Sequence, residues 1–406
     1  MSASERRALG PVLAVIAGNV LFGTGLIFHA FLYNFYLDAL HLSSAVMGYA
    51  AAALAGGGLV TLLPAGTLTD RAGPRATVTT AAVVLAVGLA LGAVAAAPLA
   101  VYAAAAVAGA GSGLWRVAMP PMLMGLTEPG TRARAFAWNV GLLVVWGGLG
   151  TALAGATSQW LERGWGFEQL AAVRGALLLG AVGSAASLLV FRRSRVPEGG
   201  APVAAAAEPA AQSARVGTSL LATRQLLLLV GLVAVWMLGP ALAAPFFNIF
   251  FAREHRLSIE RIGFILAAAN VCWAIAVLAS GELARRVGVR RLLVVSLLFF
   301  APAMWGLSFA GNVELAVLLY WLQGLIAPVT NPLIDQWLLG QTPRERQGAV
   351  SSWRQVAADG SAMVGASVGG RLLESGAFGR LFAVAGAIGF VGGLGLIAGA
   401  RRRPGQ

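Results

Sequence analysis

Four charged side chains stand inside long apolar stretches of this 406-residue chain: Arg116, Asp335, Arg354 and Asp359. A lone charge at the centre of a bilayer costs at least about 3 kcal/mol, so each needs a partner or a function. Asp335 and Arg354 lie at similar depth on consecutive apolar stretches and make a natural structural ion pair. Arg116 has no acid close to it in its own half of the sequence, so it either binds an anionic group or competes for Asp335. An acid held away from water can exchange protons near neutrality, because burial disfavours its charged form. Asp335 ranks first for that role and Asp359 second. Asp38, at the end of its apolar stretch, ranks third.

Other chemistries find little support. His29, His41 and His255 are too far apart for metal-ligand spacing. Cys272, the one cysteine, can form neither an intrachain disulfide nor a cysteine cluster. All 29 basic residues are arginine, which excludes a phosphate loop ending in lysine. No metal, cofactor or enzymatic activity is expected. A different signal comes from helix breakers followed by polar and aromatic residues. Gly23 and Gly25 in FGTGLIFHAFLYNF precede His29, Tyr33 and Asn34; Gly239 and Pro240 in MLGPALAAPFFNIF precede Phe247 and Asn248. Asn331 lies one turn before Asp335. Breakers at matching places in two halves point to a solute pathway. The alternative, equally open from the residues alone, is that the glycines pack helices and the asparagines bond neighbouring backbones.

The elements that must position these residues are membrane helices. Hydrophobic residues make up 58% of the chain and charged residues 11%, with mean hydropathy +0.78; soluble domains are about a quarter charged. About 20 apolar residues cross a bilayer. Twelve such runs occur, at roughly 9–36, 45–68, 76–97, 99–125, 135–157, 169–191, 224–251, 262–283, 291–311, 314–339, 348–370 and 379–400. They predict an all-α integral membrane protein with twelve transmembrane helices, since the alternating segments of a β-barrel do not occur. The first run is too long for a signal peptide and is expected to stay as an anchor. Twenty arginines fall at the termini and in the even-numbered loops, seven in the odd-numbered loops and two inside spans. The positive-inside rule then places both termini in the cytoplasm. The formal charge of +13 is explained by topology and lipid headgroups, without a nucleic-acid partner.

Residues 193–222 are rich in Pro, Ala, Gly and charge and read as a cytoplasmic linker. It separates residues 1–192 from 223–406, six spans each. An offset of 215 maps Gly48 onto Gly263 and Gly66, Arg71, Gly73 and Arg75 onto Gly281, Arg286, Gly288 and Arg290. It also maps Trp138, Gly150 and Gly155 onto Trp353, Gly365 and Gly370. The halves are an internal duplication in parallel orientation.

GTLTDRAGPR, from Gly66 to Arg75 between spans 2 and 3, resembles the G-x-L-x-D-R-x-G-x-R loop of the major facilitator superfamily. GELARRVGVRR, from Gly281 to Arg291, resembles its second, weaker copy. The resemblance covers the whole chain. It implies two six-helix bundles that rock about a central site lined by spans 1, 4, 7 and 10, giving alternating access. In the loop, Asp70 is placed to pair with a neighbouring arginine or a helix N-terminus, and a contact made in one state only would act as a conformational latch. The second copy has Arg285 where the first has Asp70, and Glu282 is the candidate substitute. Proton exchangers of the family often carry a span-4 arginine, but Arg116 follows the glycines rather than preceding them. The exporter signature's Gly-Pro pair is also incomplete, since WGGLGTALAGA lacks the proline.

These observations point to a secondary transporter moving a small organic solute, proton-coupled, with efflux favoured over uptake. It is expected to work as a monomer in a bacterial inner membrane. The alternative is a polytopic sensor or lipid scramblase of the same fold.

Overall fold

The structure, a computed structural model, describes residues 3–194, 224–340, 342 and 347–401, with side chains over 10–194, 228–325, 329–340, 342 and 347–398. From residue 195 onward the expected linker lies outside the described residues. Helices are numbered by span. The first six are α1 (Ala3–Ala39), α2 (Ser44–Val60 and Leu62–Ala72), α3 (Pro74–Val94), α4 (Pro98–Gly125), α5 (Pro129–Trp165) and α6 (Gln169–Arg193). Next comes α7, in two helical pieces (Arg224–Ala243 and Phe247–Arg253) joined by a 3₁₀ turn (Ala244–Phe246). Then follow α8 (Ile259–Val287), α9 (Val289–Ser308), α10 (Val313–Gly340), α11 (Gln347–Glu374) and α12 (Phe378–Arg401). The helices start and stop where local chemistry directs. Pro74, Pro98 and Pro129 open α3, α4 and α5, where a missing N–H costs nothing. Gly73 and Gly288 turn the chain at φ +84° and +94°, a region that favours glycine.

Ten of these helices are long and apolar enough to cross a membrane, and the two pieces of α2, bent by 43°, make an eleventh. The twelfth, α11, has 28 residues and so reaches about 42 Å, beyond the roughly 30 Å hydrocarbon layer. Its Arg354, Asp359, Arg371 and Glu374 explain its weaker apolar signal. Large side chains such as Leu99, Leu278 and Val60 are 79%, 82% and 76% exposed. A surface so apolar is stable only against lipid. The chain is a multi-pass membrane protein.

The described residues form two units. The first holds α1, α3–α6, most of α2 and the start of α8 (Leu257–Ala267). Its core joins Val15, Ile16 and Phe22 of α1 to Leu85 and Leu89 of α3, Met119 and Met122 of α4 and Phe191 of α6. The second holds α7, α9–α12, the rest of α8 and the start of α2 (Ser43–Ala52). There Val233 and Trp236 pack with Leu293, Leu297, Leu333, Ile334 and Leu396. Glycines let backbones approach, as small residues do in membrane bundles. In the first unit a Cβ on Gly155 (α5) would lie 3.0 Å from the Ile259 carbonyl oxygen and 3.4 Å from the Gly263 Cα (α8). In the second, a Cβ on Gly370 (α11) would lie 2.6 Å from the Ser44 carbonyl oxygen and 3.0 Å from the Gly48 Cα (α2). These crossings are related by the 215 offset.

Candidate functional site

The break in α7 follows from two prolines. Pro240 and Pro245 lack the N–H groups that a helix would direct to the carbonyls of Trp236 and Ala241, and the helix tightens into a 3₁₀ turn at Ala244–Phe246. Beside this turn lies a partly open cavity of about 220 Å³. Its walls are Pro240, Ala243, Ala244 and Phe247 of α7, Ala269, Asn270 and Trp273 of α8, Met304 of α9, and Tyr320, Gln323 and Gly324 of α10. Phe247 is held by an offset stack on Phe382 with ring centroids 5.4 Å apart and meets Tyr320 at 4.7 Å. The lining combines three aromatic rings with two carboxamides and no charged group. Of its residues, the sequence pattern singles out Phe247 and the breaker Pro240. Asn270 and Gln323 carry a readable signal of their own, since each is an isolated carboxamide within an apolar run, AAANVCWAIA and LLYWLQGLIA.

In α1 the matching glycines serve another purpose. The helix runs unbroken for 37 residues, so the expected break at Gly23 and Gly25 is not there. A Cβ on Gly25 would overlap the Ser184 hydroxyl and approach the Gly180 carbonyl to 2.8 Å. The Gly25 amide instead donates to Ser184 Oγ at 3.1 Å, and that hydroxyl donates to the Phe22 carbonyl at 2.7 Å. Close packing on α6 is therefore the role of Gly25. His29 stacks on Tyr33 at 4.0 Å, and His29, Tyr33 and Asn34 are all buried. The Tyr33 hydroxyl has no hydrogen-bond partner among the described residues. Asn248, in α7, is buried and accepts the Ile249 amide at 2.9 Å.

The intramembrane charges divide. Arg354 Nε meets Asp335 Oδ1 at 2.7 Å, with side chains 17% and 38% exposed respectively. Counting from the helix ends at Gly340 and Gln347, the pair lies about 8–10 Å into α10 and α11. Asp359 accepts a hydrogen bond from Gln355 Nε2 at 3.1 Å, one turn away on the same helix. Arg116 extends from α4 toward Gly58 of α2. Asn331 has a buried side-chain oxygen without a partner among the described residues. Asp38 closes α1, half-buried. Asp335 is twelve residues from Gln323, about 18 Å along α10, so the ion pair and the cavity are separate sites on one helix.

The two charged loops differ in what they hold. Arg75 donates to the carbonyls of Phe191, at 3.3 Å, and Arg192, capping the end of α6. Asp70 and Arg71 are exposed, and Asp70 has no ion-pair partner among the described residues. In the second loop Glu282 pairs with Arg285 and with Arg286, the latter at 2.6 Å. Arg290 is exposed beyond Gly288. Around Gly66 and Gly281 there is open space, so neither is needed for close packing.

The sequence profile of the Major Facilitator Superfamily matches residues 13–252 and 230–406. The chain belongs to that superfamily, a family of membrane transporters that move small solutes, and its class is transport rather than enzymatic. Solved structures of similar fold include the nucleoside transporter NupG, 13% identical with TM-score 0.76, covering 97% of this chain and 99% of that one. The D-xylose-proton symporter is 14% identical with TM-score 0.74, covering 94% and 95%. A bacterial homologue of the iron transporter ferroportin, in an inward-facing state, is 16% identical with TM-score 0.77, covering 99% and 100%. At such identities the likeness is one of fold. Among curated proteins no significant relative is found.

Proposed function

We propose that the chain is a secondary carrier that moves a small organic solute by alternating access, coupled to protons through Asp335, with efflux the favoured direction. It acts as a monomer in a bacterial inner membrane with both termini cytoplasmic, the side on which twenty of its arginines fall. The observation that carries this reading is the exposure of the Asp335–Arg354 pair. Asp335 is 38% exposed within a membrane span. A charge is more stable facing water than facing hydrocarbon, which supports a water-accessible route beside the pair. A carboxylate releases its proton on gaining an arginine partner and takes one up on losing it. Arg354 is the partner in the state described; in the other state the pair is open and Asp335 carries the proton. The nucleoside transporter and the D-xylose-proton symporter, which share the fold, make an uncharged organic solute a reasonable first choice for assay.

Proteoliposomes test the reading. Purified protein should accumulate solute when a pH gradient is imposed and lose that ability when the gradient is collapsed. Asp335→Asn should abolish gradient-driven accumulation while retaining solute exchange. A variant that still concentrates solute against its gradient would make Asp335 structural and remove the coupling proposal.

A further inference from the structure

The cavity beside the α7 break identifies its ligand by chemistry. Its polar lining consists of the carboxamides of Asn270 and Gln323 and the hydroxyl of Tyr320, and its broad surfaces are the rings of Phe247, Trp273 and Tyr320. None of its walls carries a charge. A charged ligand would shed its hydration there without gaining a counter-ion, which is strongly unfavourable. A purely apolar ligand would leave the Gln323 carboxamide unmet, and an unmade hydrogen bond in a binding site discriminates steeply. Each carboxamide both donates and accepts, which suits ring hydroxyls or the edge of a heterocyclic amide. The aromatic rings favour a ligand with a flat or ring-shaped face. At about 220 Å³ the cavity falls below the usual range for drug-sized ligands, roughly 300–1,000 Å³, and holds about one small molecule of one or two rings. Trp273 is 46% exposed, while Phe247 is fixed by Phe382 and is part of the wall before any ligand arrives.

We infer that this cavity is a binding site for an uncharged, polar, ring-bearing solute, held by Asn270 and Gln323 at its edges and by the aromatic rings on its faces. The inference deepens the carrier reading, on which it rests for the claim that the bound solute is also the one transported. Binding itself can be measured without transport.

The full chain, purified in detergent, is titrated with adenosine, uridine, uracil and D-ribose, and with the 5′-phosphates of adenosine, uridine and ribose. Calorimetry gives affinity and thermal unfolding gives stabilisation. At least one uncharged compound should bind at or below about 1 mM, the weak end of typical carrier and enzyme affinities, and its phosphate should bind at least about a hundredfold more weakly. Binding of uridine but not ribose assigns the stacked ring to a base; binding of ribose assigns it to a sugar. Gln323→Ala should weaken binding at least about tenfold, while the unliganded unfolding temperature stays near that of wild type. Gln323→Glu, nearly equal in shape, should weaken it as much, which separates loss of chemistry from loss of fold. The inference is overturned if no uncharged compound binds, if phosphates bind as well as their parents, or if folded cavity variants bind like wild type. Binding without uptake in proteoliposomes would leave the site standing and remove the carrier reading. Uptake unaffected by the cavity variants would do the reverse.

Discussion

The two halves of this chain are copies at an offset of 215 residues, and they agree in geometry where they part in chemistry. Gly73 and Gly288 both turn the chain at positive φ. Gly155 against Gly263 and Gly370 against Gly48 are the same crossing made twice. These positions are dictated by backbone approach and dihedral angle, which side chains cannot supply. At Gly25 and Pro240, equivalent by the same offset, the copies diverge. Gly25 lets α1 sit against α6 and receives a hydroxyl at its amide, whereas Pro240 precedes a broken segment that opens on a cavity. Asp70 and Arg285 diverge likewise, one exposed without an ion-pair partner among the described residues and the other paired with Glu282. Duplication preserved the frame and released one breaker and one loop for different work.

Exchanging the diverged residues is the strongest way to break this comparison. Gly25→Pro removes the amide that meets Ser184 and drives a ring into α6. A proline inside a helix costs about 3 kcal/mol or more, and with the added clash the folded yield should collapse in detergent extracts. The converse, Pro240→Gly, restores a donor to the Trp236 carbonyl. It should leave the unfolding temperature unchanged or higher while slowing solute exchange. A well-folded Gly25→Pro protein would show that the two sites are interchangeable after all.

A smaller effect sharpens the shared crossings. Gly370→Ala places a Cβ 2.6 Å from the Ser44 carbonyl, whereas Gly155→Ala places one 3.0 Å from that of Ile259. Overpacking of this kind costs about 1–3 kcal/mol, so thermal unfolding should show both variants weakened and Gly370→Ala the more so. Equal losses would mean that the crossings relax alike.

The loops should differ in function more than in stability. Asp70→Ala should slow turnover about tenfold, a bias of about 1.4 kcal/mol between states, with solute binding little changed. If binding collapsed while the equilibrium between states stayed put, the latch proposal would fail. Glu282→Gln breaks exposed ion pairs whose contribution is within about 0.5 kcal/mol, and should be silent in unfolding and transport alike. A measurable loss there would give the second loop a role that its exposed pairing does not suggest.

Much of the architecture was legible because its causes are local. A run of about twenty apolar residues must cross a bilayer whatever its neighbours are, and Gly73 and Gly288 stand out at matching places in repeated loops. Even so, α11 is visible only as a weaker run, since Arg354 and Asp359 dilute it. Asp335 and Arg354 could be matched by depth alone, because rise per residue places a side chain along a helix axis. The candidate cavity was less legible. Phe247 and Pro240 stand out in the sequence, and Asn270 and Gln323 are legible as isolated carboxamides, but Trp273 and Tyr320 look like ordinary members of apolar spans until α8 and α10 are laid beside α7.

What the sequence determined alone is therefore what hydropathy, dihedral preference and repetition control: membrane helices, a duplicated frame, an arginine-rich face and glycine turns. Only the tertiary structure decided that α1 stays straight at its glycines, whereas the break in α7 follows from Pro240 and Pro245. Glycine permits either outcome, and the choice at Gly25 is made by Ser184, 159 residues away. It also decided which aromatics and carboxamides share a cavity, since that depends on which faces of four separate helices meet, and the 3.6-residue period of each helix carries no record of its partners.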